Sequence, residues 1–193
     1  ASRLRLIPRA LLSRLARAGR QKRPESPGRI LIAHHLLAGD TLMLTPLLAK
    51  LRERHAQAEL VMTVRKALLP LYASQPYGVR ALAYDPRDRA SLELLLAQRG
   101  FDLALVPGDN RYAWLAAALD ARWIVAFALD RPAYKSWMVD ELVRWPDAPA
   151  AWGDIAATLL ELRRQVARRH ADRFDADEDL TREIEEQLRQ RRI

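Results

Sequence analysis

The stretch that decides the fold is residues 29–54, RILIAHHLLAGDTLMLTPLLAKLRER. Its apolar run at residues 30–33 is short and carries β-branched Ile, which is typical of a buried strand. A small turn ends at Gly39 and Asp40, and leucines then recur at helical spacing through residues 42–51. Strand, turn and helix in this order form the opening unit of a nucleotide-binding α/β fold. Such sheets bind ligands at the carboxyl ends of their strands, where Asp40 is expected.

The turn itself offers two interpretations of Asp40. Its position where the turn becomes the helix favours a helix N-cap from spacing alone, and a carboxylate at the cleft also suits a general base. We expect Gly39 to allow a tight turn and a close approach to ligand. Pro46 falls inside the predicted helix, where it would remove the hydrogen bond to Leu42 and bend the first turns.

The rest of the chain repeats the alternation. Apolar segments predict strands at residues 59–64, 81–84, 101–106 and 122–127, and helices are predicted at 66–74, 90–99 and 110–119, the last capped by Asn110. This order predicts an α/β protein with a parallel, Rossmann-like sheet flanked by helices and right-handed crossovers. Residues 128–150 break the pattern with a polar, aromatic insert that is typical of a binding loop. Two further helices are predicted at 152–169 and 177–191.

Charge is concentrated at the N-terminus. Residues 1–29 hold nine Lys or Arg and one acid, whereas the remainder holds 23 residues of each sign. The basic excess therefore belongs to one segment beside a neutral body, and it gives no argument for nucleic-acid binding. We divide the chain into a basic amphipathic arm and linker at 1–28, a domain at 29–170, and a helix at 171–193.

The arm at residues 2–18 places leucines and Ile7 on one helical face and arginines on the others. This pattern predicts a helix that lies on an anionic membrane surface. A helix packed on the domain and a solvated tail are the alternatives. The arginines interrupt every apolar stretch, which argues against a signal peptide.

Several classes of site find no support. The chain has no cysteine, and hence neither disulfides nor thiolate metal sites. His34 and His35 are adjacent, so in a strand they point to opposite faces and make a poor metal pair. No metal is therefore expected. The sequence also lacks the roughly 20 consecutive apolar residues that a membrane-spanning helix needs.

The opening stretch resembles a known family. Gly39-Asp40 followed by Thr45-Pro46-Leu47-Leu48, directly after the first strand, is similar to the N-terminal signature of glycosyltransferase family 9, which contains the ADP-heptose:lipopolysaccharide heptosyltransferases. Residues 100–106, GFDLALV, resemble a later strand of that family. Residues 110–119 and 121–127 resemble its following helix and strand, in the right order.

The resemblance implies a GT-B fold, in which two Rossmann-like domains face each other across a cleft. This chain would be the N-terminal, acceptor-binding half, and residues 171–193 would lead toward an absent donor-binding domain. Asp40 would be the base of an inverting transfer. Arg131 and Lys135 in the insert, and then Asn110 and Arg111, would line the acceptor site, where arginine suits bidentate capture of carboxylates and phosphates. A basic residue is usual in the family near His34 and His35.

The same resemblance implies partners and a location. The donor would be a nucleotide sugar, such as ADP-heptose, with no further cofactor. The acceptor would be a lipopolysaccharide core or a related glycan, and the protein would work at the cytoplasmic face of the inner membrane of a Gram-negative bacterium. The chain alone would be inactive for want of the donor half.

Two other classes remain as alternatives. The chain could be a non-catalytic Rossmann-like binding module, or a nucleotide-binding domain of the dehydrogenase or response-regulator type. The absence of Gly-x-Gly-x-x-Gly after the first strand counts against a dehydrogenase. The single acid in that turn counts against a phosphorylated receiver.

Overall fold

The computed structural model describes residues 2–17, 22–128, 132–145 and 152–160. This part of the chain contains six helices, six strands and four short 3-10 segments. The helices are α1 (Ser2–Arg17), α2 (Ala38–Leu42), α3 (Thr45–Arg54), α4 (Arg89–Leu96), α5 (Tyr112–Ala118) and α6 (Trp152–Ala157). The strands are β1 (Arg29–Ile32), β2 (Glu59–Val64), β3 (Val79–Ala83), β4 (Leu103–Val106), β5 (Trp123–Phe127) and β6 (Glu141–Val143). The 3-10 segments are Lys66–Tyr72, Pro76–Gly78, Ala133–Ser136 and Thr158–Leu160.

The strands form one parallel sheet in the order β3-β2-β1-β4-β5-β6. Leu31 of β1 stands opposite Val61 of β2 on one side and Ala104 of β4 on the other. Strands β2 and β3 are added on one side of β1, and β4, β5 and β6 are added on its other side. The predicted α/β, Rossmann-like fold is confirmed. Its topological switch point lies between β1 and β4, where such sheets bind ligands.

The sheet is covered on both faces, which explains why its strands are nearly continuous apolar runs. Leu31 and Ala33 belong to a buried cluster with residues of α4 and α5. Because side chains alternate along a strand, Ile30 and Ile32 face the other side. On that side, α3 buries three leucines and packs against α6.

The single helix predicted after the first turn is wrong in one respect. Two helices, α2 and α3, occupy the segment and are separated at residues 43–44. Pro46 therefore lies in the first turn of α3, where its missing N–H is not needed. No hydrogen bond to Leu42 is lost inside a helix. Instead, the hydroxyl of Thr45 donates to the carbonyl of Leu42 at 2.7 Å.

Strand β6 lies within the segment predicted as an irregular insert. Val125 of β5 stands opposite Glu141 of β6. The Glu141 carboxylate is buried at this position because Arg23 pairs with it at 2.7 Å and Trp123 Nε1 donates to it at 3.0 Å. A charged residue in a three-residue strand hid β6 from the apolar pattern. The predicted helices beyond residue 160, together with residues 129–131 and 146–151, lie outside the described residues.

Helix α1 packs on the domain through one face. Leu6 and Ala10 are buried in the cluster that contains α5. Arg14 forms an ion pair with Asp140, and Arg17 donates to the carbonyl of Ala121. None of the described helices is long and apolar enough to cross a membrane.

Candidate functional site

The carboxyl edge of the sheet brings two loops together at the switch point. Ala33, after β1, donates its N–H to the carbonyl of Leu105 in β4 at 2.9 Å. Beyond it, the side chain of Leu36 lies against Gly108, where an added Cβ would come within 3.0 Å of Leu36 Cδ2. Gly108 thus lets the loop after β4 approach the loop that leads to Asp40.

Asp40 is the third residue of α2, and its side chain is exposed at this edge. Leu37 occupies the N-cap position and makes no side-chain cap bond. The helix-cap interpretation of Asp40 is therefore wrong, because the N-cap of α2 lies three residues earlier than expected. An exposed carboxylate in the first turn of a helix that follows β1 is placed to meet a ligand on the sheet edge.

Gly39 lies within α2 and not in a sharp turn. Its φ angle is not in the left-handed region, and an added Cβ would meet nothing within 4 Å. Neither backbone conformation nor packing in this chain explains a glycine at the position. The predicted close approach of a ligand stays a prediction, and the open space above Gly39 is consistent with it.

His34 holds the loop between β1 and α2. Its backbone N–H donates to Thr63 Oγ1 at 2.9 Å, and that hydroxyl donates back to the His34 carbonyl at 2.8 Å. Its Nδ1 accepts the N–H of Leu36 at 3.2 Å. The imidazole is fully buried, and this burial, followed by the nearby His35, lowers the pKa of His34 to about 3. The side chain is therefore a neutral group in the region, near His34 or His35, where the family resemblance implies a basic residue.

The structure brings Arg111 and Lys135 together on a third residue, Asp109. The Asp109 carboxylate lies 2.7 Å from a guanidinium nitrogen of Arg111. It lies 3.6 Å from Nζ of Lys135. Burial raises the pKa of Asp109, but the hydrogen bonds and charge of Arg111, with the charge of Lys135, outweigh it and leave the pKa below its usual value. Two cations and one carboxylate give this cluster a net charge of +1 where the loop after β4 meets the segment after β5.

Asn110 does not have the helix-capping role predicted for it, and its place in the acceptor site stays a prediction. Its side chain does not cap α5, because Arg111 occupies the N-cap position. Asn110 is fully buried, and its Nδ2 donates to the carbonyl of Phe127 at 2.9 Å and to Ser136 Oγ at 2.9 Å. These bonds tie the loop after β4 to the end of β5 and to the segment that carries Lys135. The buried amide therefore holds these three segments together.

Sequence reasoning missed an aromatic cluster at the same edge. His35, Tyr84 and Tyr112 follow β1, β3 and β4, with ring centroids 6.3 Å apart in each pair and His35 stacked on Tyr112. Burial, then the charge of Arg65, lowers the pKa of His35 despite the opposing charge of Asp85. The available signal was that each of the three follows closely on the end of a predicted strand.

Two further residues, Arg65 and Trp137, lie after strand ends or in the insert. Arg65, after β2, donates from Nε to the carbonyl of Leu36 at 3.1 Å, so it belongs to the edge. Trp137 is 59% exposed in the insert and lies 6.4 Å from Trp114 between ring centroids. Arg131 lies outside the described residues, and its place in the acceptor site stays a prediction.

Solved structures share this fold. A family 9 glycosyltransferase from Veillonella parvula aligns with a TM-score of 0.57 at 16% identity, covering 71% of this chain and 41% of its own. The E. coli heptosyltransferase WaaC with ADP aligns with a TM-score of 0.56 at 17% identity, covering 72% and 49%. WaaC with ADP-2-deoxy-2-fluoro heptose aligns with a TM-score of 0.53 at 16% identity, covering 68% and 46%. This chain has the fold of the aligned part of these glycosyltransferases.

The likeness concerns the fold, since the identities are low. The chain spans less than half the length of each of the three solved structures. No protein-family model and no curated protein matches the sequence. Any inference about the activity, substrates and partners of this chain must therefore rest on the residues at the carboxyl edge of the sheet.

Proposed function

We propose that this chain is the acceptor-binding half of an inverting glycosyltransferase of the family 9 type. The observation that carries the proposal is the exposed carboxylate of Asp40 in the first turn of α2, at the carboxyl end of β1 and beside the switch point. The fold it shares with a family 9 enzyme and with WaaC supports it. The motif around Gly39 and Asp40, which resembles the family's N-terminal signature, supports it as well.

In this proposal Asp40 is the general base. Its carboxylate removes the proton from an acceptor hydroxyl as that oxygen attacks the anomeric carbon of the donor sugar. The bond from that carbon to the nucleotide diphosphate breaks on the opposite face, and the diphosphate leaves with the electron pair. The anomeric centre inverts, and Asp40 then releases its proton to water. The reaction needs no cofactor from this half of the enzyme.

The cluster of Asp109, Arg111 and Lys135 would hold the acceptor. Its net positive charge suits a glycan that carries carboxylates or phosphates, and the planar guanidinium of Arg111 can bind such groups through two hydrogen bonds. Asp109 keeps both cations in place before the acceptor arrives, which lowers the entropy lost on binding. A lipopolysaccharide core has this chemistry, and we propose it as the acceptor.

The donor is proposed to be a nucleotide sugar bound by a second domain. The two solved WaaC structures are those with ADP and with ADP-2-deoxy-2-fluoro heptose. ADP-heptose is therefore the first donor to test. An acceptor anchored in lipid would place the protein at the cytoplasmic face of the inner membrane, as a peripheral protein.

A non-catalytic binding module is the second candidate. The buried, neutral His34 favours it, because a chain that has lost the reaction has no need of a charged group at that position.

The test compares the whole protein that contains this chain with its Asp40→Asn variant, using ADP-heptose and a deacylated core acceptor. We expect transfer to fall at least a hundredfold in the variant, since one general base contributes about 10²–10⁴-fold, while acceptor binding persists. Glu53→Gln, an exposed acid on the neighbouring α3, is the matched control and should transfer at the parent rate. Equal transfer by all three proteins would remove Asp40 from the chemistry. Acceptor binding without transfer by any of them, with several nucleotide sugars, would favour the binding module.

A further inference from the structure

The N-terminal helix α1 has two different faces. Leu6 and Ala10 are buried against the domain, and Ser13 joins them on the same side. Arg14 pairs with Asp140, and Arg17 reaches the carbonyl of Ala121. These contacts fix the orientation of the helix, so its other side is a defined surface.

That other side is apolar. Ile7 and Leu11 are each 42% exposed, Leu12 is 67% exposed and Leu15 is 71% exposed. At 100° per residue, Leu11, Leu12 and Leu15 lie on the side opposite Leu6 and Ala10, and Ile7 lies at the border between the two sides. We call these four side chains the outer leucine face. A row of large aliphatic side chains in water is a feature of interaction surfaces.

The charge around this face selects the partner. Residues 2–17 contain five arginines and no acid. Asp140 offsets the charge of one of the two arginines it contacts, Arg14 and Arg17. Arg9, on the flank of the outer leucine face, makes no ion pair within the described ranges. A second copy of the chain would bring like charge onto like charge, whereas an anionic lipid surface supplies both hydrocarbon and negative charge.

We propose that the outer leucine face docks on an anionic phospholipid surface as a preformed face of the domain. The inference does not depend on the proposed function. Arg14 and Arg17 reach Asp140 and Ala121, which precede β6 and β5, so the C-terminal end of α1 lies near the amino edge of the sheet. The helix runs from there along α5, and a domain held by it keeps the carboxyl edge free for a ligand.

The test is flotation of the 193-residue chain with vesicles of phosphatidylcholine alone or with 30 mol% phosphatidylglycerol, a composition chosen at about one anionic lipid in three. We expect binding to the anionic vesicles, weakened as salt is raised to about 0.5 M. Leu12→Ser with Leu15→Ser should reduce the partition coefficient at least roughly tenfold, because two exposed side chains no longer enter hydrocarbon. Arg9→Gln should reduce it roughly fivefold.

Leu94→Ser is the matched control, because Leu94 is 72% exposed on α4. It should bind vesicles like the parent chain. Far-UV circular dichroism should show no gain of helix on binding, as expected for a preformed face, and all variants should melt like the parent. Parent chain that does not float, or that floats equally without phosphatidylglycerol, would overturn the proposal. So would a dimer in sedimentation that the double serine variant dissociates, since a second copy would then cover the face.

Discussion

Nδ1 of His34 accepts the backbone N–H of Leu36 at 3.2 Å. Because an accepting nitrogen carries no proton, the neutral ring has its hydrogen on Nε2. That buried nitrogen finds no hydrogen-bond partner in the described part of the chain. This hydrogen bond holds the loop before α2 in place through an imidazole that stays neutral.

This histidine predicts a pH dependence of stability. The unfolded chain protonates His34 below pH 6.5, whereas the folded chain keeps it neutral down to about pH 3. The unfolded state binds more protons in that window, so the free energy of unfolding falls as the pH decreases through it. The contribution of His34 to the slope approaches about 1.4 kcal/mol per pH unit. Urea unfolding at several pH values measures it.

His34→Asn should flatten that slope, since its side-chain oxygen can still accept the Leu36 N–H and cannot titrate. His35→Asn is the control, and it should change the slope less because His35 is only partly buried. Identical slopes for the parent chain and His34→Asn would contradict the buried, neutral assignment.

Gly39 and Gly153 offer a paired glycine test. Gly39→Ala meets no atom within 4 Å, so it should raise the free energy of unfolding by about 0.5–1 kcal/mol through helix propensity. Gly153→Ala would place a Cβ 2.4 Å from the carbonyl oxygen of Met43. This clash should lower the free energy of unfolding by about 1–3 kcal/mol. If a ligand approaches Gly39, then Gly39→Ala should weaken acceptor binding despite its stability. Unchanged binding, measured by calorimetry, would show that no ligand approaches there.

The cation cluster gives a prediction about binding. Arg111→Ala and Lys135→Ala should each weaken binding of an acceptor with carboxylates or phosphates by roughly tenfold or more, since a hydrogen bond to a charged group contributes about 1.5–3 kcal/mol. Arg122→Ala is the control, because Arg122 pairs with Asp102 at 3.5 Å near the amino edge of the sheet. Equal losses in all three variants would indicate a general charge effect.

Two ion pairs of different burial should differ in what they contribute to stability. Arg23→Gln leaves the buried carboxylate of Glu141 without its cation and should lower the free energy of unfolding by about 3 kcal/mol. Arg89→Gln breaks an exposed ion pair with Glu93 and should change the free energy of unfolding by less than about 0.5 kcal/mol. Adding Glu141→Gln to Arg23→Gln should restore part of the loss. Similar changes in both single variants, measured by denaturant unfolding, would contradict the burial argument.

Much of the fold could be predicted because local pattern carries it. Short apolar runs alternate with segments of helical periodicity, and a parallel sheet with helices on both faces is the arrangement that buries both. Strand β2 was predicted with its observed bounds, Glu59–Val64. The residues of the carboxyl edge were predictable in kind, since Asp40, Arg111 and Lys135 follow strand ends.

Local pattern failed where a distant residue decided the outcome. Asn110 looked like a helix cap, but its amide donates to the carbonyl of Phe127, 17 positions away. β6 was missed because Glu141 is tolerated in it only through Arg23 and Trp123. Asp109 was overlooked because its sequence position is typical of a solvated turn residue. Only the folded chain brings Lys135 within 3.6 Å of its carboxylate.

By itself, the sequence determined the alternation of strands and helices, the parallel sheet and the edge at which its candidate site lies. These follow from hydrophobic periodicity, which is a local property. Only the tertiary structure decided that His34 is neutral, that Asp109 joins two cations, and that α1 is held against the domain by a pair of residues 126 positions apart, Arg14 and Asp140. Burial and charge pairing decide these properties, and both depend on residues that meet only when the chain has folded.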